Sequence, residues 1–534
     1  MKTKKIKYLL AAIVTVLFTF PACNSLDLGP IDYYGSGNFW TTFSQAQTYV
    51  NGMHLDLRSN NFNRKFLLGE ARGGLQLTGT SSQGVSTYDD LIKGNTISGD
   101  NTGLTQWGGG GSLYGNIFDC NLFIQKIEGS DIQINNQKDV DYLLAQTYSI
   151  RALYYFTLYR AYGGVPLITR VKVLDGQVSP QDLYTARATP KEVMDLIKSD
   201  LQKAFDYFTS SGKEWTNNVT WSKPATQMLA AEVYLWSAKV KLGNQVPAAD
   251  DLTKAETSLT SVKTDSRFGL VTDFASIFTS SNESNKEIIF AINYADGEAT
   301  SAVSNFLYAD ANITSFYDKT GNKLADPLNL KGTSIQRYEY SLNFWNAFKA
   351  KDKRRAATFM EYYDKNGVLK GTVLKKFIGS INSTAARVYD TNEPVYRYAD
   401  VLLMLAEIEN MKGGDPAQYI NQIRQRAYGA DWNALTDAYV NADFKSNEYA
   451  ILAERDFEFV YEGQRWYDVC RMKDAVNGKP LAFDNASAYS AAPVLKSTET
   501  FKLLWPVDKG TLNADPLLKQ TPGYAVAGQA EEVW

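Results

Sequence analysis

His54 is the only imidazole in 534 residues, so a His-based nucleophile triad or a multi-histidine zinc site would have to rest on that single ring. Neither H-E-x-x-H nor G-x-S-x-G occurs. The glycine run at 108–111 lacks the Gly-Lys-Ser/Thr that completes a phosphate loop, and reads as a turn ahead of a helix. A glycosidase would need two carboxylates facing one cleft. Three pairs offer themselves: Asp89 with Asp90, Asp250 with Asp251, and Glu454 with Glu458. Adjacent acids are ordinary on solvated surfaces. Glu454 and Glu458 stand one helical turn apart, close in sequence to Arg455, Glu462, Arg465 and Arg471, which reads as a structural charge network. His54 itself reads as a helix-surface or packing residue. The expectation is therefore a protein with no catalytic residue, no metal site and no cofactor.

Aromatic side chains are the other group with chemistry to offer. Tyr, Phe and Trp number 33, 26 and 10. Tyr presents a broad face and a hydroxyl at low entropic cost, which suits flat polar ligands as well as cores.

Two kinds of sequence must position these groups. Residues 141–162 are apolar around most of a helical circumference and stop at Gly163-Gly164 with Pro166 beyond. A helix greasy on several sides belongs inside a helical stack. Further helices are predicted from Thr189-Pro190 to about 208, from Pro224 to Leu242, over 253–262, 398–411, 416–428 and 447–461, with a turn or two at 464–472. Paired helices with short connections give a mainly α scaffold of tetratricopeptide-like layering, though the period is irregular. The remainder is rich in Gly, Ser, Asn, Thr and aromatics, with short strand-like runs such as 287–292. Irregular stretches of that length inside a domain usually carry function.

The ends bear on compartment. Lys2, Lys4, Lys5 and Lys7 precede an apolar run over 8–20, a secretory layout too short to cross a bilayer. The run ends in Phe20-Pro21-Ala22-Cys23, which resembles a bacterial lipobox although Phe20 and Pro21 are unusual upstream. That resemblance implies acylation of Cys23 and a durable anchor; the alternative is a plain signal peptide cut near Ala22. Removing the four lysines of residues 1–22, which hold no acid, takes the formal charge from −3 to −7. A mildly acidic chain gives no reason to expect nucleic acid as a partner. Cys120 and Cys470 each sit in apolar-periodic sequence and read as buried free thiols.

Several separated blocks carry a family resemblance. They are Tyr155-Phe156-Thr157-Leu158-Tyr159-Arg160-Ala161-Tyr162-Gly163-Gly164-Val165-Pro166-Leu167, then Tyr396-Arg397-Tyr398-Ala399-Asp400, and Ile423-Arg424-Gln425-Arg426-Ala427. Glu454-Arg455-Asp456-Phe457-Glu458 continues through Glu462-Gly463-Gln464-Arg465-Trp466, and the tail holds Leu504-Trp505-Pro506-Val507 and Gln520-Thr521-Pro522-Gly523-Tyr524. Asp352 to Arg355 matches an Asp-x-Arg element. In this order the blocks resemble the SusD/RagB family of Bacteroidetes outer-membrane nutrient-binding lipoproteins. Physically they are helix stops, helix starts and buried charges, so they identify a fold and say little about a ligand.

The resemblance implies a lipoprotein signal at 1–22 and one SusD-like domain over 23–534. Its helical scaffold would cover about 113–264 and 396–473. A large irregular loop-rich insertion that binds ligand would cover about 24–112 and 265–395, with a C-terminal extension at 474–534. It implies a SusC-like TonB-dependent β-barrel transporter as partner, with this chain as its lid on the extracellular face of the outer membrane. The ligand would be an oligosaccharide stacked on aromatics, or a peptide as in the RagB branch. Aromatic or forked side chains in the loops are then the candidate contacts: Arg72, Trp107, Tyr308, Tyr338 and Trp345. Trp107 and Trp345 each also fit a packing role. A single acid, Asp27, follows Cys23, so export to the outer face is implied by the family and not by the tether.

Overall fold

Every residue from Val140 to Tyr162 is buried within one 26-residue helix, Gln137–Tyr162, and the rest of the scaffold is layered around it. The structure, a computed structural model, describes residues 39–78, 92, 94–97, 107, 112–128, 137–176, 178–309, 313–332, 334–484 and 493–534. Cys23, Asp89 and Asp90 lie outside the described residues. The helices used below are α1 (Phe43–Ser59), α2 (Leu113–Ile127), α3 (Gln137–Tyr162), α4 (Pro190–Ser211), α5 (Lys223–Lys239), α6 (Ala249–Lys263), α7 (Leu342–Ala347), α8 (Lys353–Thr358), α9 (Tyr398–Met411), α10 (Ala417–Tyr428), α11 (Phe444–Glu458) and α12 (Arg465–Arg471).

The pairing is that of a helix-pair scaffold: α3 with α4, α5 with α6, and α9 against α6, α10 and α11. Local chemistry explains the boundaries. Thr189 caps α4, with Pro190 at its first position and Glu192 accepting from the Thr189 backbone N–H at 2.8 Å. Val193, Ile197, Leu201, Ala204 and Phe208 then form one buried stripe. α3 ends at Gly163, whose φ of 75° is left-handed. A side chain on the next residue, Gly164, would place its Cβ 2.1 Å from the Ala188 carbonyl.

α1 corrects the expected boundary of the scaffold. It lies within the stretch read as loop, yet it packs on α2 and α3 through Ala46, Val50, Met53 and Leu57. Its start is a capping box between Thr42 and Gln45, and the buried residues recur at helical spacing.

The strands are short antiparallel pairs: β1 (Gln76–Thr78) with β3 (Tyr338–Tyr340), β2 (Ile288–Ile292) with β8 (Glu393–Arg397), β4 (Phe359–Tyr363) with β5 (Leu369–Leu374), and β6 (Ser380–Ile381) with β7 (Arg387–Val388). The fold is mainly α. The insertion has an apolar core of its own, dense in aromatics: Phe66 packs on Tyr338 at 4.5 Å, and Phe316 stacks on Tyr362 at 3.8 Å. The aromatic abundance of the loops, expected to serve ligand, thus largely builds this second core. Cys120 and Cys470 are free and buried. Among the described residues no helix is long and apolar enough to cross a membrane.

Candidate functional site

The carboxylate pair on α11 is fully engaged. Glu458 accepts from Arg397 (2.9 Å), from Arg426 and from Arg354 (3.3 Å). Glu454 accepts from Arg424 at 2.6 Å and Arg354 at 3.1 Å. Burial alone would raise the Glu458 carboxyl; Arg426, Arg397 and Arg354 overcome it and hold the group far below the carboxylate range. Glu458 is therefore not poised to exchange a proton near neutrality. Asp251 is paired with Lys198 and Lys254. His54 is equally committed: Nδ1 lies 2.9 Å from the Val50 carbonyl, and Nε2 accepts from the Trp221 backbone N–H at 2.9 Å. Only the neutral ring protonated on Nδ1 satisfies both contacts, and burial lowers its pKa accordingly.

Four of the five candidate ligand contacts are buried and take packing or pinning roles. The Arg72 guanidinium lies 4.0 Å over Trp466 and 5.0 Å over Trp505, and its Nε donates to Asn95 at 2.8 Å. Trp107 packs edge-on against Tyr162 at 5.4 Å and Tyr114 at 5.8 Å. The Tyr308 hydroxyl donates to Asp326 at 2.5 Å and accepts from the Leu328 N–H at 2.8 Å, pinning a loop. Tyr338 sits between Phe66 and Phe306. These four are buried where a surface role was expected: Tyr308 and Tyr338 belong to the insertion's own core, whereas Trp107 joins the scaffold core and Arg72 packs on its Trp466 and Trp505.

Trp345 is only partly buried, and a surface can be built around it. Ser341 caps α7 by accepting from the Phe344 N–H at 3.2 Å, which turns Phe344 into the core and leaves Trp345 at its edge. Asp352 caps α8 and holds the buried Arg354. The next side chain, Arg355, is partly exposed and lays its guanidinium 4.6 Å over the Trp345 ring. On β4, the partly exposed Tyr363 donates its hydroxyl to Glu361. Burial and Glu361 push that phenol up to about 12, and the charge of nearby Arg355 opposes them. Tyr317 joins the same edge through paired backbone hydrogen bonds with Tyr363 at 3.0 and 2.9 Å. An indole, a guanidinium, a phenol and a carboxylate therefore share one face. The indole N–H has no partner among the described residues. That N–H is itself buried, so the face offers an apolar edge with the Arg355 and Tyr363 donors and the Glu361 acceptor at its margin, the set that a sugar ring or a peptide backbone needs. Arg355 and Tyr363 escaped the sequence reading. Arg355 belongs to the Asp-x-Arg element, whose residues read as scaffold, and nothing local distinguishes Tyr363 from neighbouring tyrosines that turn inward. Among the described residues no cluster of His, Cys, Asp and Glu has the makings of a metal site.

Comparison with known proteins concerns the family and the fold. Residues 369–524 match the family described as the SusD family, and residues 69–235 match one described as starch-binding associating with outer membrane. A SusD-like protein of Formosa agariphila is 25% identical over 96% of this chain and 98% of its own length. Among solved structures, a SusD superfamily protein of Bacteroides fragilis is 41% identical, with a TM-score of 0.84 over 91% of this chain and 100% of that one. NanU of B. fragilis is 31% identical, with a TM-score of 0.77 over 93% of this chain and 100% of its own.

Proposed function

The chain belongs to the SusD family, and on that premise we propose that it captures oligosaccharides at the outer membrane and catalyses nothing itself. In this reading Cys23 carries the lipid anchor, the domain stands on the extracellular face, and a SusC-like TonB-dependent transporter receives the ligand beneath it as beneath a lid. The observation that carries the reading is the face formed by Trp345 and Arg355, 4.6 Å apart, with Tyr363 and Glu361 beside them. The C–H face of a sugar ring packs on the part of the indole that Arg355 leaves open, while its edge hydroxyls bond to Arg355 and Glu361. The matched family described as starch-binding supports a glycan as the ligand class.

Isothermal calorimetry of the purified chain against panels of oligosaccharides and of mixed peptides tests the reading. The expected result is saturable heat from one glycan class in the micromolar-to-millimolar range, no product after long incubation, and loss of that heat in Trp345→Ala. Heat from peptides alone would move the protein to the RagB type.

A further inference from the structure

A cavity of about 260 Å³ opens between the end of α5, α12 and the C-terminal segment. Its walls are apolar: Trp236, Val240, Leu242, Phe483, Leu503 and Leu504. The Cys470 thiol also lines it and stays protonated, because burial pushes it up to about 12. An apolar cavity of about 150 Å³ takes up benzene, so this one has room for a larger body and a polar group besides.

The charged groups of the lining are all basic, beside the hydroxyls of Ser497 and Thr500. Lys241, Lys473, Lys479 and Arg160 contribute charge, and no Asp or Glu lines the cavity. Arg160 is paired with Glu232 through one terminal nitrogen, yet its Nε has no partner. Lys473 has no carboxylate within ion-pair distance among the described residues, although it is only 9% exposed. The Trp236 indole N–H is without a partner too, in a residue 4% exposed. Leaving a buried donor unpaired is unfavourable, and among the described residues two donors of the lining, Arg160 Nε and the Trp236 N–H, have no partner. We propose that this cavity binds a compact apolar monocarboxylate, its hydrocarbon body against Trp236 and the leucines and its carboxylate at Lys473. The inference is independent of the glycan reading, since the Trp345 face contributes none of these residues.

Calorimetry of the purified chain with octanoate, octan-1-ol and octylammonium separates charge from greasiness. Octanoate should bind one per chain, octan-1-ol at least tenfold more weakly, and octylammonium more weakly still. Lys473→Met should bring octanoate down to the level of octan-1-ol, and Leu503→Trp, which fills the chamber, should abolish both. The ranking of the three probes on the unaltered chain stands even where a variant fails to fold. Equal binding of octanoate and octan-1-ol, preference for octylammonium, or no saturable heat from octanoate would each overturn the proposal.

Discussion

Arg397 and Glu462 meet through two hydrogen bonds, Nε to Oε2 at 2.7 Å and Nη2 to Oε1 at 2.8 Å, with both residues buried. The remaining donors of the guanidinium are also used. Nη1 reaches Glu287 at 2.7 Å and Glu458 at 2.9 Å, and Nη2 reaches the Glu458 carbonyl at 3.1 Å. All five N–H groups of one side chain thus tie the β8–α9 junction to Glu287 ahead of β2, to α11 and to the turn after it. Lysine has three donors and no fork, so it cannot reproduce the arrangement. Arg397→Lys and Arg397→Met should each destabilise the chain by about 3–5 kcal/mol, because breaking a buried network strands the acids that remain. Urea unfolding followed by circular dichroism measures this; a loss below about 1 kcal/mol, the range of exposed pairs, would remove the network from the account of stability.

Much of this scaffold is legible in the sequence because its signals are local. Thr189-Pro190 and Glu192 announce a helix start, and Gly163 and Gly413, at φ 75° and 74°, are stops. The Glu-Arg-rich segment around Glu454 reads correctly as a buried lock for the same reason: such charges at such density need partners. What is not legible depends on distant pairing. Tyr340 donates to Glu70 at 2.8 Å across 270 positions, and β1 pairs with β3; no local pattern in either segment names the other. Candidate site residues suffer most. Arg72, Tyr338 and Trp345 all occur in irregular sequence; Arg72 turns inward onto Trp466 and Trp505 of the scaffold core, while the insertion's second core takes in Tyr338 and leaves Trp345 at its edge.

Gly321 and Gly367 form a reciprocal contact between two hairpin turns. A Cβ on Gly321 would stand 2.8 Å from the Lys365 carbonyl, and one on Gly367 would stand 2.7 Å from the Lys319 carbonyl. Both residues are left-handed, at φ 86° and 74°. Alanine at either position therefore meets backbone strain and a backbone clash together, at about 1–3 kcal/mol. These turns flank the Tyr317–Tyr363 pairing at the candidate face, so glycan affinity should fall along with the melting temperature. A melting temperature unchanged by Gly321→Ala would show that the two turns do not depend on each other.

His54 gives the chain a titration that can be isolated, since no other imidazole is present. Its folded pKa is lowered by burial. Above the unfolded value of about 6.5 the ring is neutral in both states. As the pH falls below that value the unfolded chain binds a proton that the folded one refuses, so stability declines by up to about 1.4 kcal/mol per pH unit until the folded pKa is reached. Glu70 acts with the opposite sign: burial raises its carboxyl to about 6, so its contribution is largest at low pH and is lost as the pH rises through that range. His54→Gln should remove the His component alone. Comparing unfolding free energies of the two chains between pH 5 and pH 7 checks the sign; parallel curves would mean that the Trp221 N–H contact does not hold the ring neutral.

Trp345 and Trp107 make the sharpest contrast available at the candidate site, because the same substitution should act on different quantities. Trp107 is 3% exposed and wedged against Tyr114 and Tyr162; truncating it leaves a cavity in the scaffold, at about 3–5 kcal/mol. Trp345 stands at the edge of the second core with Arg355 over its face. Its truncation removes the plane on which a sugar ring stacks, so affinity should drop by about tenfold or more, as for a central aromatic in other interfaces. The helical circular dichroism should stay unchanged. Arg355→Ala should weaken binding less, since the indole plane remains. Calorimetry and thermal unfolding of the three variants decide the matter. Were Trp107→Ala to lose ligand without losing stability while Trp345→Ala kept its affinity, the binding face would have to be sought elsewhere on the insertion.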